Sequence, residues 1–184
     1  VDSRQRYSTK FLRAIAFILP HEESFARGHW GDENFVVAEN VSGDSGGWTK
    51  YGIDASSHPG VDIQNLTRDQ AIEIYWQEWC KYRIEELPEK IAISQFDVRV
   101  NGGYAVKWLQ RALNGVCGAR LDVDGVMGPA TLAAASRCDQ DAVVRYFIQE
   151  RDARFESIAT GPRAKFLAGW KARDRDLERF LSLT

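Results

Sequence analysis

"FLRAIAFILPHEESF", Phe11 to Phe25, is an apolar run of helical period that ends in two adjacent carboxylates. Ser8 or Thr9 stands before it as a cap, and Phe11, Ile15 and Ile18 recur one helical turn apart, with Leu12, Ala16 and Leu19 as a second line beside them. The run is too short to span a bilayer and carries Arg13 inside it, so it predicts a buried amphipathic helix that Pro20 ends or kinks. One more step along the first line lands on Glu22, and one along the second lands on Glu23. Either carboxylate can then abut the core. Apolar surroundings and the negative end of a helix dipole both disfavour an anion, and a carboxyl group that keeps its proton is what a general acid requires. Periodicity leaves the choice between Glu22 and Glu23 open, and also whether the pair simply faces water.

Outward from this helix, periodicity disappears between Arg27 and Ser57, where Gly, Ser, Asp and Asn accumulate around a short hairpin at "GGWTKYGI", Gly46 to Ile53. Gly46 and Gly47 permit tight backbone geometry, and Asp44, Thr49 and Tyr51 are spaced around that turn. Helices follow. Thr67 and Gln70 form a capping box before a buried face of Ala71, Ile74 or Tyr75, and Trp79. Pro88 opens a helix that "NGG" at Asn101 to Gly103 breaks, Tyr104 to Leu113 forms the next, and Pro129 starts another. Asp139 or Gln140 to about Ile158, and Pro162 to about Leu181, complete a mainly α fold with a small hairpin and loop region.

The chain has 184 residues, 44% of them hydrophobic, which suits one domain with a real core. Its 24 basic and 26 acidic residues leave a net charge of -2, with no basic excess for a phosphate backbone, so nucleic acid is not an expected partner. Membrane insertion is not expected either. No signal-peptide pattern opens the sequence, so a leader has been removed or export uses another route. Cys80, Cys117 and Cys138 lack zinc-ligand spacing; one bridge, Cys117 to Cys138, is compatible with the sequence. "DVDGVMGPATLAA" resembles a calcium loop only superficially, because the ligand ladder is incomplete and no glutamate closes it. His21, His29 and His58 form no H-E-x-x-H, so no metal and no other cofactor is expected.

"HEESF", "DSGGWTKYGI", "LTRDQAIEIYWQEW", "FDVRVNGG", "AVKWLQRALNG" and "LDVDGVMGPATLAA" follow one another in the order found in glycoside hydrolase family 108, which this chain resembles from about Phe11 to Arg151. The resemblance implies a lysozyme-like helical fold and an N-acetylmuramidase, of the kind often described as a phage-type endolysin, with a peptidoglycan-binding-like C-terminal part. It implies a single domain with a catalytic part over 8–100, a peptidoglycan-binding-like part over 101–160 and a C-terminal helix over 161–184. Matching the family's E-G-G-Y to Glu22-Glu23-Ser24-Phe25 makes Glu22 the implied acid; both glycines are replaced here. The segment Ala26 to Gly43 is longer than the family's and reads as an inserted lip.

On that resemblance, Glu22 protonates the leaving oxygen of the β-1,4 bond between N-acetylmuramic acid and N-acetylglucosamine, while Asp44 orients water or stabilises developing charge and Thr49 positions that water. Glu23, Phe25, Trp48, Tyr51, Asp97 and Asn101 are the implied substrate contacts, with Trp30 a further aromatic candidate. The acids Glu23, Asp32, Glu33 and Glu39 suggest a preference for deacetylated, positively charged glycan. The expected partner is the peptidoglycan glycan strand, met by a monomer that is secreted or periplasmic or is a cytoplasmic phage endolysin. Lytic transglycosylase chemistry and a non-catalytic wall-binding role are the alternatives.

Overall fold

The computed structural model describes residues 6–24, 39–40 and 47–183. Phe25, Trp30, Asp32, Glu33 and Asp44 lie outside the described residues, as do the side chains of Glu23 and Glu39. By its internal contacts the chain divides into two compact units, Val1–Lys81 and Tyr82–Thr184.

The first unit contains α1 (Thr9–Ser24), the short strands β1 (Glu39–Asn40), β2 (Trp48–Lys50) and β3 (Ile53–Asp54), and α2 (Arg68–Lys81). Ser8 caps α1 by accepting the Phe11 N–H at 3.1 Å. The line Phe11, Ile15, Ile18 is buried as expected. The second line is split: Leu12 is 40% exposed and Ala16 also faces out, whereas Leu19 is buried, so only the line that leads to Glu22 is buried along its whole length. Pro20 does not end the helix, which continues to Ser24. Proline removes one intrahelical donor, but Phe17, Ile18 and Leu19 are anchored in the core just before it. His21 adds a side-chain bond, its Nδ1 lying 2.8 Å from the Phe17 carbonyl; because a carbonyl only accepts, that nitrogen carries the proton.

α2 starts at the expected capping box, with the Thr67 N–H donating to Gln70 Oε1 at 2.8 Å and the Gln70 N–H returning to Thr67 Oγ1 at 3.3 Å. Its buried face is Ala71, Tyr75 and Trp79. Phe11 meets Trp76 and Trp79 edge-on, at 5.0 and 5.6 Å between ring centroids, which locks α1 onto α2. The strands form one antiparallel sheet in the order β1-β2-β3. Lys50 pairs with Ile53 across a two-residue turn, and Tyr51 and Gly52 within it have φ of 54° and 74°. Two consecutive positive φ values mark the type I′ turn, whose twist matches a tight hairpin.

The second unit is helical: α3 (Glu89–Val100), α4 (Ala105–Cys117), α5 (Pro129–Ala135), α6 (Gln140–Ile158) and α7 (Leu167–Phe180), with 3-10 turns at Ile84–Glu86 and Gly161–Phe166. Every residue of α3 from Ile91 to Val98 is buried, with α4 and α6 packed against it. The expected single C-terminal helix starting at Pro162 is instead a 3-10 turn with no buried residue, followed by α7. Asp139 caps α6 by accepting the Ala142 N–H. Cys117 and Cys138 are bridged, with their Cα atoms 6.0 Å apart.

Candidate active site

Glu22 occupies the last turn of α1, at the end of the buried line, and its Oε1 is shut off from solvent. The hairpin turn comes up against it. A Cβ placed on Gly52 would stand 2.7 Å from Glu22 Oε2, 2.9 Å from Glu22 Cγ and 2.8 Å from the hydroxyl of Tyr75. No side chain fits there, so this glycine serves two purposes: a positive φ and a wall of bare backbone for the carboxylate. Tyr75 reaches the same place from the buried face of α2 and donates its hydroxyl proton to the Tyr51 carbonyl at 2.6 Å. The turn is thereby tied to α2, and the Glu22 carboxyl group and the Tyr75 hydroxyl both close on the bare Cα of Gly52.

Thr49 lies in the middle strand, opposite Glu39 on one side and Asp54 on the other, and is half-buried. Burial would push the Asp54 carboxyl up, but bonds from Ser56 Oγ at 2.5 Å and the Ser57 N–H at 2.9 Å hold it below the usual carboxylate range. Trp48 is 39% exposed and offers a ring at the surface of the sheet.

Two expected substrate contacts are buried instead. Tyr51 is 6% exposed, and its carbonyl accepts the Tyr75 hydroxyl proton. Asp97 is fully buried in the second unit; Arg173 Nε donates to its Oδ1 at 2.9 Å and Arg151 Nη1 donates to its Oδ2. A carboxylate held by two guanidinium groups has no oxygen left for a sugar. Asn101 caps α3, its Nδ2 donating to the Asp97 carbonyl at 3.1 Å, and stays exposed.

Sequence reasoning missed Tyr75 as part of the site. The available signal was a phenol on a buried helix face, which must find a hydrogen-bond partner inside. It also missed Gln110, buried on α4, whose Oε1 accepts the Gly125 N–H at 2.9 Å while its Nε2 donates to Asp124 at 2.7 Å. The Val126 N–H and Gln110 together hold the Asp124 carboxyl below its ordinary range. The "DVDG" loop is thus pinned by its own helix. Among the described residues no cluster of three His, Cys, Asp or Glu side chains is placed to hold a metal ion.

Residues 36–103 match the family model described as Glycosyl hydrolase 108, and residues 104–175 match the one described as Predicted Peptidoglycan domain. Residues 36–103 are thus similar to glycosyl hydrolase family 108. With the two matched regions together, the protein is a glycoside hydrolase acting on peptidoglycan. Comparison with curated proteins returns no match. Among solved structures, SagA of Brucella abortus is similar, with a TM-score of 0.70 and 25% identity over 94% of this chain and 94% of that one. The fold is mainly α and lysozyme-like. The hairpin with Gly52 and the helix with Tyr75 fall inside the matched hydrolase region, while Glu22 stands on the N-terminal side of it.

Proposed function

We propose that this hydrolase cleaves the β-1,4 bond between N-acetylmuramic acid and N-acetylglucosamine, with Glu22 as the general acid. One observation carries the reading: the Glu22 carboxyl group, with one oxygen closed off from water, packs against Gly52 of the hairpin motif, and the Tyr75 hydroxyl closes on the same glycine. A general acid has to be held in one orientation toward the bond it protonates, and a bare glycine wall with a fixed phenol supplies that. Thr49 is the candidate to position water and Trp48 the candidate sugar platform. Asp44 remains the proposed partner carboxylate, on the sequence alone.

The test is clearance of purified peptidoglycan by the wild type and by Glu22→Gln, with product analysis by mass spectrometry. We expect the Gln variant to lose about 10²- to 10⁴-fold in rate while keeping its fold. Loss in Glu23→Gln but not in Glu22→Gln would move the acid to the neighbouring residue. Anhydro-muramoyl ends in the products would make the chemistry that of a lytic transglycosylase.

The same assay, run on acetylated and deacetylated wall, tests the preference that Glu23, Asp32, Glu33 and Glu39 suggest; equal or faster digestion of the acetylated wall removes it. The Cys117–Cys138 bridge supports a secreted or periplasmic location, because structural disulfides persist in oxidising compartments.

A further inference from the structure

In the second unit a row of rings runs from the buried interior to the surface. Its inner end is the Arg151 guanidinium, 2% exposed, which lies 5.3 Å from the centroid of the Phe155 ring on α6. Phe155 stacks on Trp170 of α7 at 5.1 Å and 28°, and Trp170 stacks on Phe166 at 6.0 Å and 30°. Phe155 and Trp170 are half-buried, whereas Phe166 is 45% exposed. It sits at the end of the 3-10 turn Gly161–Phe166, none of whose residues is buried. Lys165 places its Nζ 5.0 Å from the Phe166 centroid, and Arg163 is exposed on the same turn.

Core packing does not account for Phe166. A phenylalanine left open on a turn that buries nothing carries a standing hydrophobic cost, yet its ring is stacked and oriented by two others behind it. An oriented, partly exposed ring with one lysine ammonium over it and an exposed arginine on the same turn suits a ligand that has a flat apolar face and anionic groups, for which the flexible lysine can exchange its place over the ring. A pyranose presents a face of C–H groups, and a muramyl strand carries carboxylates on its peptide branches or, where no peptide is attached, on the lactyl group. Single-stranded nucleic acid shares the flat-face and anionic-edge chemistry, but the chain's net charge of -2 gives it no general attraction to a polyphosphate.

We propose that Phe166, backed by Trp170 and Phe155 and sharing its turn with Lys165 and Arg163, is a glycan-binding platform that holds the peptidoglycan strand through a sugar face and its carboxylates. The proposal rests on peptidoglycan being the substrate. It names the side chains of the second unit that would make such a hold.

The experiment is co-sedimentation of the full chain with insoluble peptidoglycan, on ice and for times too short for digestion. Wild type, Phe166→Ala, Phe166→Trp and Lys165→Gln are compared, with thermal unfolding of each as a folding control. We expect Phe166→Ala to weaken binding about threefold to tenfold, the range of one aromatic stack, and Phe166→Trp to retain it. Lys165→Gln should weaken binding at low salt and have less effect at high salt. Unchanged binding by Phe166→Ala, with wild type bound, overturns the platform alone. A wild type that fails to sediment overturns the peptidoglycan reading together with it. Phe166-dependent binding of a single-stranded oligonucleotide, with no Phe166-dependent binding of the glycan, would assign the rings to nucleic acid instead.

Discussion

Gly52 is where backbone conformation and side-chain packing meet most directly, since its φ is 74° and a methyl group there would collide with Glu22 and Tyr75. Gly60 provides the contrast: its φ is 91°, but nothing lies within 4 Å of the Cβ position. Alanine at either site strains the backbone by about 1–2 kcal/mol. Only at Gly52 does it also push the carboxylate, and a displacement of about 1 Å can cost a hundredfold in rate. Gly52→Ala should therefore abolish most peptidoglycan clearance, while Gly60→Ala lowers thermal stability and keeps the rate; equal rates for the two variants would deny the contact any role. Glu22 was legible in the sequence as one of two carboxylates at the end of an apolar line. Its contact with Gly52 was not, because a helical period describes one element and this contact joins an element to a distant turn. Asp97 misled for the same reason: the arginines that enclose it come from α6 and α7.

Elements were legible where their ends carry local chemistry. The Thr67–Gln70 box, Pro129 in the first turn of α5 and the Asp139 cap each occupy the position that their side chains predict. The continuation of α1 past Pro20 was not legible, because core burial outweighs the loss of one backbone bond. α4 shows how an element organises its neighbours. Gln110 holds Gly125, and one turn later Asn114 takes both backbone groups of Leu121, accepting its N–H at 2.7 Å and donating to its carbonyl at 2.8 Å. The disulfide then ties the last residue of α4 to the segment just before α6, over a sequence separation of 21. Closing a loop of that size stabilises the folded state by about 3 kcal/mol in the chain-entropy account. Paired Cys117→Ser and Cys138→Ser substitutions, or reduction with a thiol, should lower the denaturation midpoint accordingly, as read by circular dichroism against urea. An unchanged midpoint would mean the bridge does not constrain the unfolded chain.

Across the whole molecule, charge is nearly balanced, yet four charged residues are buried together where α3, α6 and α7 meet: Asp97, Arg151, Arg173 and Asp174. The two acids are not equivalent. Burial would push the Asp97 carboxyl up, but Arg173 and Arg151 hold it below its ordinary range. Arg151 Nη1 also lies 3.1 Å from Asp174 Oδ1, an ion-pair distance without hydrogen-bond alignment, and among the described residues neither Asp174 oxygen accepts a hydrogen bond. Burial, with Asp97 and Asp152 adding to it against the arginines, raises Asp174 to about 7. The signs are therefore opposite. Between its ordinary value of 3.8 and about 7, the folded chain keeps a proton on Asp174 that the unfolded chain has released, so stability falls as pH rises through that window and levels off above it. The contribution of Asp97 is present above the ordinary carboxylate range and is lost as pH falls through its lowered value. Thermal unfolding from pH 3 to 9 should thus show greatest stability in mild acid. Asp174→Asn removes the upper decline: the variant should gain on the order of 2–4 kcal/mol over wild type at pH 8 and little at pH 4. A variant no more stable than wild type at pH 8 would mean that Asp174 is ionised in the folded state at little cost, with Arg151 close enough to compensate its burial in full.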